Sequence, residues 1–418
     1  MPLYKNMPEP SGRMGLLWTL GLIKDAAVLE FGSMGHMIYA EKWMSQTGIA
    51  NRGRLYTTHL DEKDIALGIT KRLEKAVEEI VEEKEAKAIF LLPSSVPEMI
   101  GIDLEAIKDE LAYSHPQIPI LSFGEGNFKV GKSKGVEEAL YQLVKFFPEY
   151  KNEYSKEEVK EEVKEKVKEE VKEEVKEKIK EEVKEELIED VKDVKIQRQY
   201  FNIFGSVCDT ARFASDAREI KRIMEGAFHM EVICTLTSEV KVENLFHMDE
   251  AVINLVLRKE GLKAAKLLER EYGIPYLHHA PYGYEDTLSW IRQLEDILGR
   301  KADEKFIKEE LQEGSLVLKS CKAWTQYGRD KASLWVDGID EQQGISEFAR
   351  EVGFRIEKGG ILLADKKKLK IESNSYGIEI LRSTESSSFN LYESPFMGFR
   401  GAMKLCSLWI GHLSGHES

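Results

Sequence analysis

On either side of a highly charged block, this chain alternates short apolar runs with amphipathic stretches at helical spacing. Parallel strands can be joined only by long crossovers. Buried runs separated by helices are therefore what a parallel sheet requires, and an antiparallel sandwich or a helical bundle would not produce them. In the first stretch the pattern predicts a helix at Ile65–Glu82, a strand at Ala88–Leu92, a helix at Ile102–Leu111, a strand at Ile118–Phe123 and a helix at Gly135–Phe147. The second predicts a strand at Tyr200–Phe204, a helix around Ala217–Gly226, a strand at Met230–Leu236 and a helix from Asp249 into Tyr272. A third, shorter region from about Lys301 predicts a strand at Ala332–Val336, a helix at Gln342–Val352 and a turn at Gly359-Gly360. The expected fold class is α/β with parallel sheets. Its expected division is a first domain over 1–150, a second over 197–300 and a reduced third region with the C-terminal segment over 301–418.

The charged block, 151–196, is built on a Lys-Glu-Glu-Val repeat that places Val159, Val163, Val167, Val171, Val175, Ile179, Val183, Leu187 and Val191 every fourth residue. Four residues turn a helix by about 400°, so the apolar stripe advances about 40° per repeat and winds around the cylinder. No seam persists for a long coiled coil. The expectation is a solvated single helix about 60 Å long, supported by pairs such as Glu161 with Lys164, or else a partner-docking arm.

Composition excludes several function classes. With 418 residues the chain can bury a sizeable core, and its net charge of -14 opposes sequence-independent binding to nucleic acid, which needs Lys and Arg on phosphates. The longest uncharged apolar run, Gly15–Ile23, is too short to span a bilayer. It lacks a small-residue cleavage site and runs straight into Lys24-Asp25, so it reads as part of the fold of a cytoplasmic protein that does not enter the membrane. Cys208, Cys234, Cys321 and Cys406 lie far apart with no CxxC and no zinc spacing, and read as small buried apolar residues.

One phosphate-binding pattern is present. Gly126-Asn127-Phe128-Lys129-Val130-Gly131-Lys132-Ser133 satisfies GxxxxGK[ST] between a predicted strand and a predicted helix. The only hydrophobic run ending in Asp, Ile361–Asp365, is far downstream, which counts against a nucleotide site, and a P-loop ATPase stands as one alternative on Gly126 to Ser133 alone.

Several segments, read in order, resemble subunits of nitrogenase component 1 and its relatives, the nitrogenase-like reductases and cofactor scaffold proteins. Gly21-Leu22-Ile23-Lys24-Asp25 followed by Phe31-Gly32-Ser33-Met34-Gly35-His36 is similar to that family's GPIKD and HGPxGC. Thr58 to Gly68 is similar to its threonine-acidic segment, and Ser94-Ser95-Val96-Pro97-Glu98-Met99-Ile100-Gly101-Ile102-Asp103 to the segment where a cysteine precedes an IGDD-like turn. Asn254-Leu255-Val256, Tyr272-Gly273-Ile274-Pro275, Pro281 to Thr287 and Pro395-Phe396-Met397-Gly398-Phe399-Arg400-Gly401-Ala402 succeed them in the family's order. The resemblance implies Rossmann-like domains and a heteromeric, component 1-type oxidoreductase subunit. Its expected partners are a second component 1-type subunit and a separate ATP-hydrolysing iron protein as electron donor. The substrate, a small molecule or a tetrapyrrole-like compound, would sit in a cleft between domains.

The family's bridging iron-sulfur cluster needs thiolates, and the matching positions lack them. His36 stands for the GPxGC cysteine, Pro10 or Ser11 for the early one, Ser95 for the one before IGDD, Arg258 for the cysteine after Asn-Leu-Val, and Ser388 for a histidine upstream of the Pro-Phe-Met-Gly turn. These replacements imply an iron-sulfur cluster only at an interface between subunits, with thiolates from the partner and His36 as one ligand through its imidazole. Cysteine loss equally suits a degenerate scaffold or maturation subunit without its own cluster. The candidate catalytic residues are His36, Arg258 and Arg400, the arginines as anion holders. The candidate cofactor-binding residues are Gly32, Gly35, Ser95, Ser388 and Gly398. His278-His279, adjacent in sequence, read as structural loop residues.

Overall fold

A computed structural model describes residues 10–32, 34–46, 54–60, 70–83, 85–124, 130–151, 199–210, 212–327, 332–337, 342–365, 377–381 and 394–414. The helix expected over the charged repeat lies outside the described residues, as do Ser388 and the first part of the glycine-rich loop, 126–129.

Three four-stranded sheets succeed one another along the chain. The first holds β1 (Ala26–Phe31), β2 (Leu55–Thr57), β3 (Ala88–Pro93) and β4 (Ile120–Ser122) in the order β2-β1-β3-β4. The second holds β5 (Tyr200–Ser206), β6 (Glu231–Thr237), β7 (Ile253–Val256) and β8 (Tyr276–His278) in the order β6-β5-β7-β8. The third holds β9 (Ser333–Val336), β10 (Arg355–Ile356), β11 (Ile361–Asp365) and β12 (Gly377–Leu381) in the order β10-β9-β11-β12. Among the described residues every pairing between these strands is parallel. In each sheet the second strand lies to one side of the first and the third crosses to the other. The connections therefore reverse between the first and third strands, and a crevice opens at their carboxyl ends.

One predicted element is replaced. The helix expected from Asp249 into Tyr272 is instead a 3-10 turn at Met248–Glu250, strand β7, a second turn at Lys259–Gly261 and a helix over Leu262–Tyr272. All four residues of β7 are buried, so the run shows no alternation and is indistinguishable by period from a buried helical segment. Its polar member pairs inside the sheet, where Asn202 Nδ2 on β5 donates to Asn254 Oδ1 at 2.8 Å, while the buried Asn254 Nδ2 has no hydrogen-bond partner among the described residues.

The helix Gly12–Leu20 is buried along its whole length, which accounts for the apolar run near the start of the chain. It presses on the helix over 132–151 at two glycines: a Cβ at Gly15 would overlap the Lys132 carbonyl, and one at Gly135 would overlap the Gly12 carbonyl. One core joins the first two sheets, with the Phe147 and Phe246 rings meeting edge to face at 5.0 Å. A second core joins the last two sheets to the C-terminal helix Gly398–Leu413 through Trp290, Phe348 and Trp409. Among the described residues no helix is long and apolar enough to cross a membrane.

Candidate functional site

At the carboxyl ends of β5, β7 and β8, where the second sheet's connections reverse, a cleft of about 510 Å³ faces the helix Gln342–Glu351 of the third sheet region. Its first wall is made by the turn after β7. Gly205, next to the last residue of β5, has φ +102°, and a Cβ there would overlap Arg258 Cγ, so glycine is what lets the Arg258 side chain lie across the strand end.

Arg258 is locked from two sides. Its two terminal nitrogens donate to Asp209 Oδ1 and Oδ2 at 2.6 and 3.1 Å, and its Nε donates to Glu260 Oε2 at 2.8 Å. Lys132 reaches across from the first region to within 3.3 Å of Asp209 Oδ2, and Ser133 Oγ donates to Glu260 Oε1 at 2.7 Å. Burial alone would raise both carboxyls. Arg258 and Lys132 outweigh it at Asp209, and Arg258 with Ser133 at Glu260, so both lie below the usual carboxylate range. Two cations and two anions thus balance in a nearly dry interlock. The lysine and serine of the phosphate-loop pattern are members of it, so the side chains that would serve a nucleotide and its magnesium are already engaged.

The second wall carries the paired histidines. The sequence reads them as structural loop residues, but His278 is the last residue of β8 and both line the cleft. His279 Nε2 lies 2.8 Å from Asp286 Oδ1, and this hydrogen bond raises the imidazole against the opposing effect of burial. The other oxygen of Asp286 accepts the Tyr282 N–H at 2.9 Å. Burial and the neighbouring His279 lower His278, which is therefore neutral near pH 7.

The floor is closed by the segment that enters the C-terminal helix. The buried Asp216 carboxyl accepts the N–H groups of Phe396 and Met397 at 2.7 and 3.1 Å, and the Arg212 guanidinium lies 3.7 Å from the centre of the Phe396 ring. Burial pushes Asp216 up to about 6 in spite of those bonds. Gly398 has φ +69° and donates to the Pro281 carbonyl at 3.0 Å; a Cβ there would come within 2.7 Å of Glu219 Cγ.

The remaining sequence candidates fall elsewhere. Arg400 is not on this cleft; its N–H donates to Glu219 Oε1 at 3.1 Å, and it borders a separate depression with Arg218 and Lys404. Gly32, Gly35, His36 and Ser95 gather at the equivalent reversal point of the first sheet, at the carboxyl ends of β1 and β3. A Cβ at Gly32 would overlap Ser94 Oγ, which sets how closely these two strand ends approach. Gly35 and His36 open the helix Gly35–Gln46, and Ser95 opens the short helix Ser95–Met99. Beneath them the buried Arg13 pairs with Glu30 at 2.8 Å and also donates to the Pro93 carbonyl. Ser388 lies outside the described residues. Pattern reading missed Asp209, Lys259, Glu260, Asp286 and Glu347, because acidic and basic residues beside turns carry no spacing signal.

The donor set does not suit an iron-sulfur cluster. Among the described residues no three His, Cys, Asp or Glu side chains converge to hold a metal ion, and all four cysteines are buried. Cys208, next to Asp209, donates to the Trp18 carbonyl at 3.4 Å, and burial pushes its thiol well up.

Comparison with known proteins converges on one family. The chain is 25% identical over 347 residues to the nitrogenase iron-molybdenum cofactor biosynthesis protein NifE of Clostridium pasteurianum, covering 80% of this chain and 64% of that protein. It is 24% identical over 325 residues to a subunit of the light-independent protochlorophyllide reductase of Crocosphaera subtropica, covering 75% and 57%. It thus spans less than two thirds of the length of these relatives. A structure of nitrogenase Cp1 at pH 6.5 superposes over 99% of this chain and 94% of that one, with a TM-score of 0.69 at 14% identity, which establishes the shared fold. The profile of the family described as nitrogenase component 1 type oxidoreductase matches residues 11–377, and this chain belongs to that family.

Proposed function

We propose that the chain is a subunit of a nitrogenase-like, component 1-type oxidoreductase complex in the cytoplasm. It pairs with a second component 1-type subunit and receives low-potential electrons from a separate nitrogenase-type iron protein that hydrolyses ATP. The observation that supports this reading is the cleft at the second sheet's reversal point, with Arg258 on its wall at the position read from the sequence as standing for the family's cysteine. Any iron-sulfur cluster of the complex then sits where the two subunits meet, near His36 and Ser95, on thiolates of the partner. The exposed Met34, Ile38, Met99 and Ile100 at that edge supply the apolar surface such a contact needs. The chain's own part is to hold an organic substrate, with a tetrapyrrole such as the relatives' protochlorophyllide as one class.

A second reading, a cofactor scaffold or maturation subunit, is favoured by the missing donor set and by the likeness to NifE. Anaerobic purification of the full chain, alone and with candidate partner subunits, separates the two. The chain alone should be colourless and free of stoichiometric iron, and the complex should be brown and reducible by iron protein with ATP. A complex that forms but accepts no electrons favours the scaffold, and an iron-loaded monomer refutes the partner requirement.

A further inference from the structure

The wall that the third sheet region lends to the cleft, the helix Gln342–Glu351, is seated on the second region by one of its faces. Gly344, Phe348 and Glu351 recur there at helical spacing, and all three meet the turn that opens the helix Tyr284–Leu298. A Cβ at Gly344 would overlap the Tyr282 ring, and one at Gly283, where φ is +84°, would overlap the Phe348 ring. The third contact is polar. Glu351 Oε2 accepts the Glu285 N–H at 3.4 Å, a long bond, and a Cβ at Gly283 would come within 2.8 Å of the same oxygen. This half-buried carboxyl faces Tyr284 and Glu285 from the helix Tyr284–Leu298, Lys322 from the helix Glu304–Tyr327 and the Cys406 thiol from the C-terminal helix. Glu347 and Arg350 are the neighbouring charges on its own helix. Among the described residues no ion pair reaches it, from Lys322 or from any other cation.

We infer that Glu351 is a protonation latch on this wall: with its proton on, the helix Gln342–Glu351 stays seated on the turn at 282–285, and with its proton off the helix lifts and the cleft opens on that side. This goes beyond the reading of the chain as an oxidoreductase subunit and does not depend on it. A carboxylate in the seat is stripped of water where Phe348 and Gly283 close over it, and gains only a long hydrogen bond at a helix start in return. A neutral carboxyl loses far less there. Once the helix lifts, the ionised group regains its water. Burial first, and the like charge of Glu285 after it, push the seated carboxyl up to about 7 against the backbone N–H groups and Lys322. The seated value thus lies above that of a glutamate in water, about 4.3, so the latch holds fully below about 4.3 and is lost as pH rises through about 7. Between pH 6 and pH 8 the seated state loses about tenfold against the lifted one. Gln343, Gly344 and Glu347 line the cleft from the same helix, so the change reaches the cavity directly.

The test is hydrogen exchange of the full chain at pH 6 and pH 8, read by mass spectrometry as protection factors so that the intrinsic pH dependence of exchange is removed. Peptides over 342–351 should lose about tenfold in protection between the two pH values, while peptides over β1 and β3 of the first sheet stay level. Glu351→Gln keeps the shape and cannot ionise. It should give the same protection at both pH values and at least about tenfold more than wild type at pH 8. Glu285→Gln, at an exposed position, removes the like charge and should carry the midpoint of the fall to lower pH with the fold intact. Wild-type protection that does not change between pH 6 and pH 8, or a midpoint that Glu285→Gln leaves in place, overturns the latch. His279 and Asp216 also titrate around the cleft. A fall that persists in Glu351→Gln and disappears in His279→Gln or Asp216→Asn would belong to those groups and would sink the inference.

Discussion

Replacing Asp209 with Asn tests whether the interlock behind the cleft is held by charge. The Asp209 side chain is fully buried and takes both ends of the Arg258 guanidinium, so the change leaves a cation in a nearly dry site facing a neutral amide. Removing one member of a buried pair costs about 3–5 kcal/mol. Two features place Asp209→Asn at the lower end of that range, near ~3 kcal/mol. Arg258 keeps Glu260 at 2.8 Å, and Lys132, whose side chain is 34% exposed, can turn to water once its partner is gone. The measurement is urea unfolding followed by tryptophan fluorescence, since Trp18 lies in the same core and its carbonyl accepts the Cys208 thiol. Combining Asp209→Asn with Arg258→Met should recover part of the loss, giving a coupling of about 2 kcal/mol in the double-mutant cycle. Acid should erase the penalty. Asp209 has a depressed folded-state pKa, so its contribution is present above the unfolded value of about 3.9 and is lost as pH falls through the folded one. A single-variant cost under about 1 kcal/mol, or strictly additive changes, would refute the argument that the network is electrostatic.

Two further substitutions probe the frame around the cleft and the first sheet. Gly32→Ala should destabilise the protein by about 1–3 kcal/mol through overlap with Ser94 and through backbone strain at φ +151°, and Ser94→Gly in the same chain should relieve the overlap part and leave the strain; no relief at all would mean the strand ends are not in contact as described. Asp216→Asn keeps the oxygen that accepts both backbone N–H groups while removing a buried titration. Because Asp216 is raised to about 6, the wild type is favoured below about 3.9 and loses that advantage as pH rises through about 6. The stability of the Asn variant relative to wild type, followed by urea unfolding, should therefore climb by on the order of 3 kcal/mol between about pH 4 and about pH 7, and a pH-independent difference would exclude the effect.

The parallel sheets were legible because crossover helices leave two periods in the sequence. Ala88–Leu92 and Tyr200–Phe204 sit between amphipathic segments and both became strands of the sheets, β3 and β5. Strand β7 was hidden for the converse reason, since a run buried on both faces offers neither period. The two reversal points were partly visible, in the glycines at 32 and 398 and in Arg258 after Asn254-Leu255-Val256. The residues that fix Arg258 were not, because Asp209 lies 49 residues before it and Lys132 a further 77 before Asp209, separations set by topology alone. The same blindness made Gly126 to Ser133 look like a phosphate cradle, when its lysine and serine close a contact between sheets.

The way Arg258 is held also bears on whether a thiolate could stand at that position. A cysteine placed at 258 would leave the Asp209 and Glu260 carboxylates facing each other across the space the guanidinium fills, with Lys132 alone to offset them. It would also open a void over Gly205, where the arginine stem now lies. The thiolate would add a third negative charge to that space, so Arg258→Cys alone would meet repulsion and lost packing before it could meet a metal. Positions 132, 205, 209, 258 and 260 would have to change in concert. An interlock of this kind lets the residues on the other walls of the cleft vary far more readily than it lets position 258 carry a metal ligand.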